Sequence, residues 1–366
     1  MEVSTIMRVS VWLKRTASWV LSLALLTPMM MVGTADSVAA EDADPHVTEE
    51  FLTPNGRTYI RNNALMLYFT NSGFAFNFNG TGATVKVSTT FSGQFNDKRP
   101  KVSFLNVYVD GGHVPSKVLT VTNQDQVLTL AENLPAGDHS IKVVKRNQAD
   151  FYGKDEIAIK EVQLLGDNAE WKTPPTYDRQ IEIVGDSITC GQANMLLDGA
   201  SLADGTNMGG DATTYNEDGT LTYGGLITDA FGAANQTLSR SGMRYIRQNP
   251  DIPGSNNESW INYYTRWAQT PLSVGNSNNW TFERPSDVVI INLGTNDDGC
   301  GIVNGTAVPA RAAYFQSEAK TLLELVRKNN PDAIIIWAYG MMSENPRTAA
   351  PIKAAVEELN LSLIHI

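Results

Sequence analysis

The run Gly185-Asp186-Ser187 is where this chain is best equipped for chemistry. An apolar stretch, 181–184, stops there, and Gly185 lets the backbone turn sharply. Ser187 then falls at a strand-to-helix corner, with its hydroxyl exposed and its amide N–H at a helix N-terminus. One residue thus offers both a nucleophile and an oxyanion donor. A second apolar run, 288–293, ends in Gly294-Thr295-Asn296-Asp297, where Asn296 adds a side-chain amide. Between the two, Ser241-Gly242-Met243 follows a weaker strand pattern at 236–239, and Gly242 can present a backbone N–H with no side chain in the way. The N–H groups of Ser187 and Gly242 and the Asn296 amide would form a three-donor oxyanion hole for acyl transfer. In a comparable hydrolase one such donor is worth roughly 2.7–4 kcal/mol in the transition state.

Supporting roles fall to Asp186, expected to orient the loop by hydrogen bonds, and to Gly294 and Asp297, expected to hold the Asn296 loop. Each residue also has a plainer reading. Ser187 could be a helix N-cap, Asn296 a cap of the next helix, and Gly242 an ordinary turn glycine. Trp260, Tyr263, Tyr264, Trp267 and Trp280 precede the Asn296 segment. Aromatic faces stack on sugar rings, so Trp260, Tyr264 and Trp280 are candidate glycan contacts; core packing is the alternative for each.

The elements that must position these residues divide into two patterns. Residues 45–166 read as β throughout. Phe74, Phe76 and Phe78 alternate with Ala75 and Asn77, and Val85, Val87, Val107, Val109, Ile141 and Val143 repeat the period of two. Asp110-Gly111-Gly112 and Pro135-Ala136-Gly137-Asp138 are hairpin-turn signals. Many short strands without a convincing helix predict a jelly-roll sandwich. Residues 167–179, with Pro174-Pro175, read as a linker. From 180 to 366, strands at 181–184, 236–239, 288–293 and 333–338 alternate with helices. Ala312, Phe315, Ala319, Leu322, Leu323 and Val326 make one apolar helical face, and 348–360 reads as a further helix. The pattern predicts an α/β three-layer domain around a mostly parallel sheet. Residues 198–218 read as a long polar loop near the site. Their spacing does not match a calcium loop, and no metal or other cofactor is expected.

The 366 residues suffice for two domains, and a net charge of -11 argues against a nucleic-acid partner. Arg8, Lys14 and Arg15 precede an apolar run ending in small residues at Val38-Ala39-Ala40. Residues 1–40 therefore read as a cleaved secretory signal, the alternative being an uncleaved anchor. The mature protein is expected outside the cytoplasm, off the membrane and monomeric. Of two cysteines, Cys190 and Cys300, each follows one of the special segments. A disulfide and two unpaired thiols both remain open.

Gly185-Asp186-Ser187, Gly242 and Gly294-Thr295-Asn296-Asp297 resemble, in order and spacing, the first three blocks of the SGNH (GDSL-type) hydrolases. The fuller run 181–191 behind a β domain, with Lys142-Val143-Val144-Lys145-Arg146 and Thr222-Tyr223-Gly224-Gly225-Leu226, resembles carbohydrate esterase family two. The resemblance implies an exported, metal-free serine esterase that removes acetyl groups from plant polysaccharides such as xylan and glucomannan. SGNH proteins of other acyl specificity, including lipases, are one alternative, and a non-catalytic glycan-binding protein is another.

The resemblance also implies a general base, a histidine near the C-terminus two or three residues after an aspartate. His46, His113 and His139 fall in or before the β segment, and His365 has Ser362 and Leu363 where the aspartate should stand. A final strand, a histidine loop and a closing helix are expected to be missing, as in a C-terminally truncated version of a longer protein.

Overall fold

A computed structural model describes residues 50–94, 100–149, 155–195, 213–248, 259–266, 280–297, 302–303, 306–307, 309–341, 345–360 and 362–365. The expected signal segment, His46, Trp267, Cys300 and the greater part of the 198–218 loop lie outside these residues.

The β segment folds as two antiparallel sheets. In the first, the order is Thr53–Asn55, Gly73–Gly80, Gly137–Lys145, Ser103–Val109, Lys117–Val121. In the second it is Thr58–Arg61, Ala64–Leu67, Ile157–Leu165, Gly82–Thr89, Gln126–Ala131. The period of two places Phe74, Phe76 and Phe78 on one inner face, where they pack with Val85, Val87, Ile157 and Ile159 of the other sheet. Asp110 and Gly111, with φ of 51° and 72°, make the expected hairpin turn between Ser103–Val109 and Lys117–Val121. Pro135-Ala136-Gly137-Asp138 does not make one. The strands on either side of it, Gln126–Ala131 and Gly137–Lys145, lie in different sheets, so this turn is a crossover. The expected linker is also partly structured, because Glu170–Lys172 pairs antiparallel with Gly73–Gly80.

The second half builds one parallel sheet in the order Ala234–Ser239, Gln180–Gly185, Val288–Asn292, Ile334–Tyr339, Ser362–His365. In chain order this is 2-1-3-4-5, with the direction of winding reversing beside Gln180–Gly185. Open α/β sheets place their sites at the C-terminal ends of strands at such a reversal. The fifth strand, expected to be missing, is present: Tyr339 stands opposite His365. Helices Pro309–Asn329 and Pro346–Glu358 cover one face. Phe315, Ala319, Leu322, Leu323 and Val326 pack there with Ile352, Ala355 and Val356 against Val289, Ile291, Ile335 and Trp337. Ala312, expected on that apolar face, is exposed.

The opposite face carries the helix Tyr223–Ala230 and, beside it, an open apolar groove of about 690 Å³ floored by Ile181, Ile290, Ile336 and Ala338. Phe231 at its rim and Ile334, on the strand that carries Ile336 and Ala338, are 60% and 59% exposed.

The sandwich docks on this domain through apolar contacts, Tyr68 and Phe69 joining the buried cluster around Trp260, and through polar ones. Asn55 Oδ1 accepts the Asn235 N–H at 2.8 Å, and Asn71 Nδ2 donates to the Gly219 carbonyl at 3.0 Å. Gly56, with φ of 80°, turns the chain so that Arg57 enters the second domain.

Candidate active site

Sheet register explains why three distant segments meet. Gly185 lies opposite Ser239 on one side and Asn292 on the other. The chain therefore leaves three adjacent strands at one level, and the residues that follow are Asp186-Ser187, Ser241-Gly242 and Gly294 to Asp297.

Gly185 is demanded by its neighbour. A Cβ there would lie 1.9 Å from Thr189 Oγ1. The one-turn helix Ser187–Cys190 is capped by Asp186, whose Oδ1 accepts the Ile188 N–H at 3.0 Å. Ser187 is thus the first helical residue and not the cap. It is half-buried, and its hydroxyl makes no hydrogen bond to another described residue. Burial pushes the Asp186 carboxyl up to about 7, against the pull of the Ile188 N–H.

Gly242 has φ of 81°, a left-handed turn closed by Met243 N–H donating to Arg240 O at 3.3 Å. The preceding Ser241 N–H donates to Gln148 Oε1 at 2.8 Å. Asn296 ties the three segments together: its Nδ2 donates to Met243 O at 2.9 Å and to Asp186 Oδ2 at 3.2 Å. Both amide protons are therefore engaged. An oxyanion role for Asn296 requires exchanging the longer bond, to Asp186, for the substrate oxygen.

Asp297 grips a different loop from the one expected. Its carboxylate accepts the N–H groups of Tyr245 and Ile246 at 3.4 and 3.1 Å, while Arg244 Nε donates to Asn296 O at 2.7 Å. Asp297 thus holds the chain just past Gly242. Burial pushes its carboxyl up to about 8, opposed by the Ile246 N–H and the Arg244 charge. Gly294, with φ of 132°, leaves no room for a side chain, since a Cβ would lie 2.6 Å from the Tyr339 ring.

Two of the three candidate sugar contacts are corrected by burial. Trp260 and Tyr264 are 0% exposed. Trp260 Nε1 donates to Gly185 O at 2.8 Å, and Tyr264 Oη donates to Glu182 Oε2 at 2.5 Å. Both rings are core, and no sugar can stack on them. Trp280 is half-buried beneath the Arg57 guanidinium, 5.6 Å from the ring centre. Cys190 is a buried free thiol, pushed well up by desolvation. His113 pairs with Asp229 at 2.6 Å and His139 with Asp110 at 2.8 Å, both from the sandwich.

The residues that sequence reasoning missed are Arg57, Gln148, Glu217 and Arg244. None stands in a motif, and only the docking of the sandwich brings Arg57 and Gln148 to the second domain.

A sandwich of antiparallel sheets joined to a 2-1-3-4-5 parallel sheet is a doubly wound α/β fold behind a β domain, with a serine at the corner after the strand where the winding reverses. The chain belongs to the GDSL-like lipase/acylhydrolase family, whose model matches residues 181–364, and residues 55–166 match the carbohydrate esterase 2 N-terminal domain. Among curated proteins it is 27% identical over 279 residues to a cellulase/esterase, CelE, of Acetivibrio thermocellus, covering 75% of this chain but 29% of that one. It is 25% identical over 338 residues to an acetylxylan esterase/glucomannan deacetylase of Cellvibrio japonicus, covering 92% and 82% of the two chains. The chain thus spans less than a third of the first relative's length. A family two carbohydrate esterase from Clostridium thermocellum, solved in complex with cellohexaose, shares the fold at a TM-score of 0.67 and 22% identity, covering 86% of this chain and 88% of that one.

Proposed function

We propose that this chain is an exported serine esterase that removes O-acetyl groups from plant polysaccharides of the xylan and glucomannan type. The observation that carries the reading is the register of Gly185 with Ser239 and Asn292, which assembles Ser187, Gly242 and Asn296 from three strand ends. The names of the two curated relatives and the cellohexaose in the solved neighbour support a carbohydrate ester as substrate. The N-terminal pattern of residues 1–40 supports export.

In this reading Ser187 Oγ attacks the acetyl carbonyl carbon while its proton passes to a histidine of the kind the family resemblance implies, a role for which none of His113, His139 and His365 is placed. The carbonyl oxygen becomes an oxyanion held by the N–H groups of Ser187 and Gly242. Neither N–H has a partner among the described residues. Asn296 joins them as its bond to Asp186 is exchanged. Collapse of the intermediate breaks the bond to the sugar oxygen, which takes the proton back from the base and leaves as the hydroxyl, with the acetyl group on Ser187. Water then releases acetate and restores the serine.

The test is hydrolysis of acetylated xylan and of nitrophenyl esters of increasing chain length by the protein and by Ser187→Ala. Loss of at least a thousandfold in the variant, with a steep fall beyond acetyl, is expected. Retained turnover in Ser187→Ala overturns the mechanism, and a preference for long acyl chains overturns the substrate class.

A second reading, glycan binding without turnover, is favoured by the histidines. His113 is paired with Asp229 on the helix Tyr223–Ala230 and His139 with Asp110 of the sandwich, and His365 stands three strands from Gln180–Gly185. Retention on a xylan or cellulose affinity gel without acetate release would support it.

A further inference from the structure

We infer that Gln148, a residue of the β sandwich, is a positioning residue for the oxyanion hole. The inference rests on the esterase reading above. Gln148 leaves the sandwich three residues after the strand Gly137–Lys145 and is buried at the domain junction. Its side-chain oxygen accepts the Ser241 N–H at 2.8 Å, and Ser241 immediately precedes Gly242. Ser241 is buried and Gly242 is half-exposed. The peptide joining them carries the N–H assigned to the oxyanion, so whatever fixes the Ser241 amide also fixes the direction of the next one. Gly242 cannot fix itself, since a glycine at φ of 81° has no side chain to restrain it.

The orientation of Gln148 is itself determined from the other side. Its amide nitrogen Nε2 donates to Glu217 Oε2 at 2.9 Å, and its backbone N–H donates to Glu217 Oε1 at 2.8 Å. The Ser241 N–H on one side and the Glu217 carboxyl on the other orient the amide together, its oxygen toward Ser241 and its nitrogen toward Glu217. Glu217 is buried as well, and Arg146 Nε donates to its backbone carbonyl at 2.8 Å. The relay therefore runs from Glu217 through Gln148 to the Ser241–Gly242 peptide. Asp297 clamps the same loop on its far side, at Tyr245 and Ile246. Gly242 is held between a carboxyl of its own domain and an amide of the sandwich. The sandwich contributes to catalysis through this residue, without touching substrate.

The experiment uses the full chain and follows Ser187 acylation by 4-nitrophenyl acetate, with imidazole present as an external base. Gln148→Met keeps the side-chain volume and removes the acceptor. A misaimed donor affects the transition state and leaves the ground state alone, so kcat is expected to fall about 10–100-fold with KM within twofold. Gln148→Glu restores an acceptor but sets it against Glu217. Its rate relative to the unmodified protein is expected to recover as pH falls and the carboxyl pair takes up a proton. Unchanged kcat in a folded Gln148→Met overturns the inference. So does an equal, pH-independent loss in both variants, which marks Gln148 as merely structural. Should neither variant fold, hydrogen exchange of the Ser241 amide in the unmodified protein decides: protection supports the relay, and exchange at the rate of an open peptide overturns it. Ser187→Ala separates the two readings. If it still releases nitrophenolate faster than imidazole does without protein, the esterase reading fails, whereas a Ser187→Ala that only matches that protein-free rate, beside a fully active Gln148→Met, sinks only the role of Gln148.

Discussion

Arg57 of the sandwich places its guanidinium 2.8 Å from the carboxylate of Glu182, in the middle of the first parallel strand, and neither side chain reaches solvent. The guanidinium also donates to the carbonyls of Tyr264 and Arg266, and the carboxylate accepts from Gln236 and Tyr264. Removing one partner strands the other charge. Arg57→Met is expected to cost about 3–5 kcal/mol in urea unfolding. Arg57→Met combined with Glu182→Leu should recover much of that loss, because no buried charge then remains. A double variant less stable than the single one would show that the pair stabilises in its own right.

Three buried carboxyl groups make stability depend on pH in an unusual direction. Desolvation raises Asp186 and Glu217 to about 7 and Asp297 to about 8. Unfolded carboxyl groups ionise near pH ~4. Between that value and about 7–8 the folded chain binds more protons than the unfolded one, so stability is fully present below the window and falls as pH rises through it. Thermal unfolding followed from pH 5 to 9 should show a declining midpoint. Asp297→Asn, which carries no titrating proton, should flatten the decline, and an unchanged slope would argue that Asp297 ionises normally.

The aromatic residues near the site should separate cleanly by burial. Trp260→Ala deletes a fully buried ring and the donor to Gly185 O, and is expected to lose about 3–5 kcal/mol of stability. Trp280→Ala, at a half-buried ring, should lose less stability and, under the function proposed above, should be the variant that weakens xylo-oligosaccharide binding, read by titration calorimetry. Equal affinity in Trp280→Ala and the parent would remove the last of the three expected sugar contacts.

His365 stands opposite Tyr339 on the outermost parallel strand. Three strand spacings, about 14 Å, separate that strand from the one leading to Ser187. A histidine side chain does not bridge such a distance. His365→Ala is therefore expected to change Ser187 acylation by less than twofold, and a tenfold loss would make it the base.

The three central parallel strands and the long helices were legible because each carries a strong apolar pattern: 288–293 became Val288–Asn292, and 348–360 became Pro346–Glu358. The sheet register then gathered Ser187, Gly242 and Asn296, whose glycine-rich segments were visible one by one. Other features lay beyond local pattern. Pro135 to Asp138 has the composition of a hairpin whichever sheet its second strand joins. Ser362–His365 is four residues long, too short to show a period. Trp260 and Tyr264 have the same composition signal as a sugar platform, and only packing decides between the two. Gln148 and Arg57 act across more than 90 and 120 residues of sequence, where no spacing rule reaches.

The groove beneath Ile181, Ile290, Ile336 and Ala338 has a practical side. Ile181, Ile290 and Ala338 are themselves buried, but Phe231 at the rim and Ile334 on the strand that carries Ile336 and Ala338 are exposed among the described residues and give this side of the sheet an apolar surface. A folded protein with such a surface is expected to bind apolar probes and matrices. It should light up environment-sensitive dyes while fully folded, lag on hydrophobic-interaction resin, and scatter more light per molecule as it is concentrated.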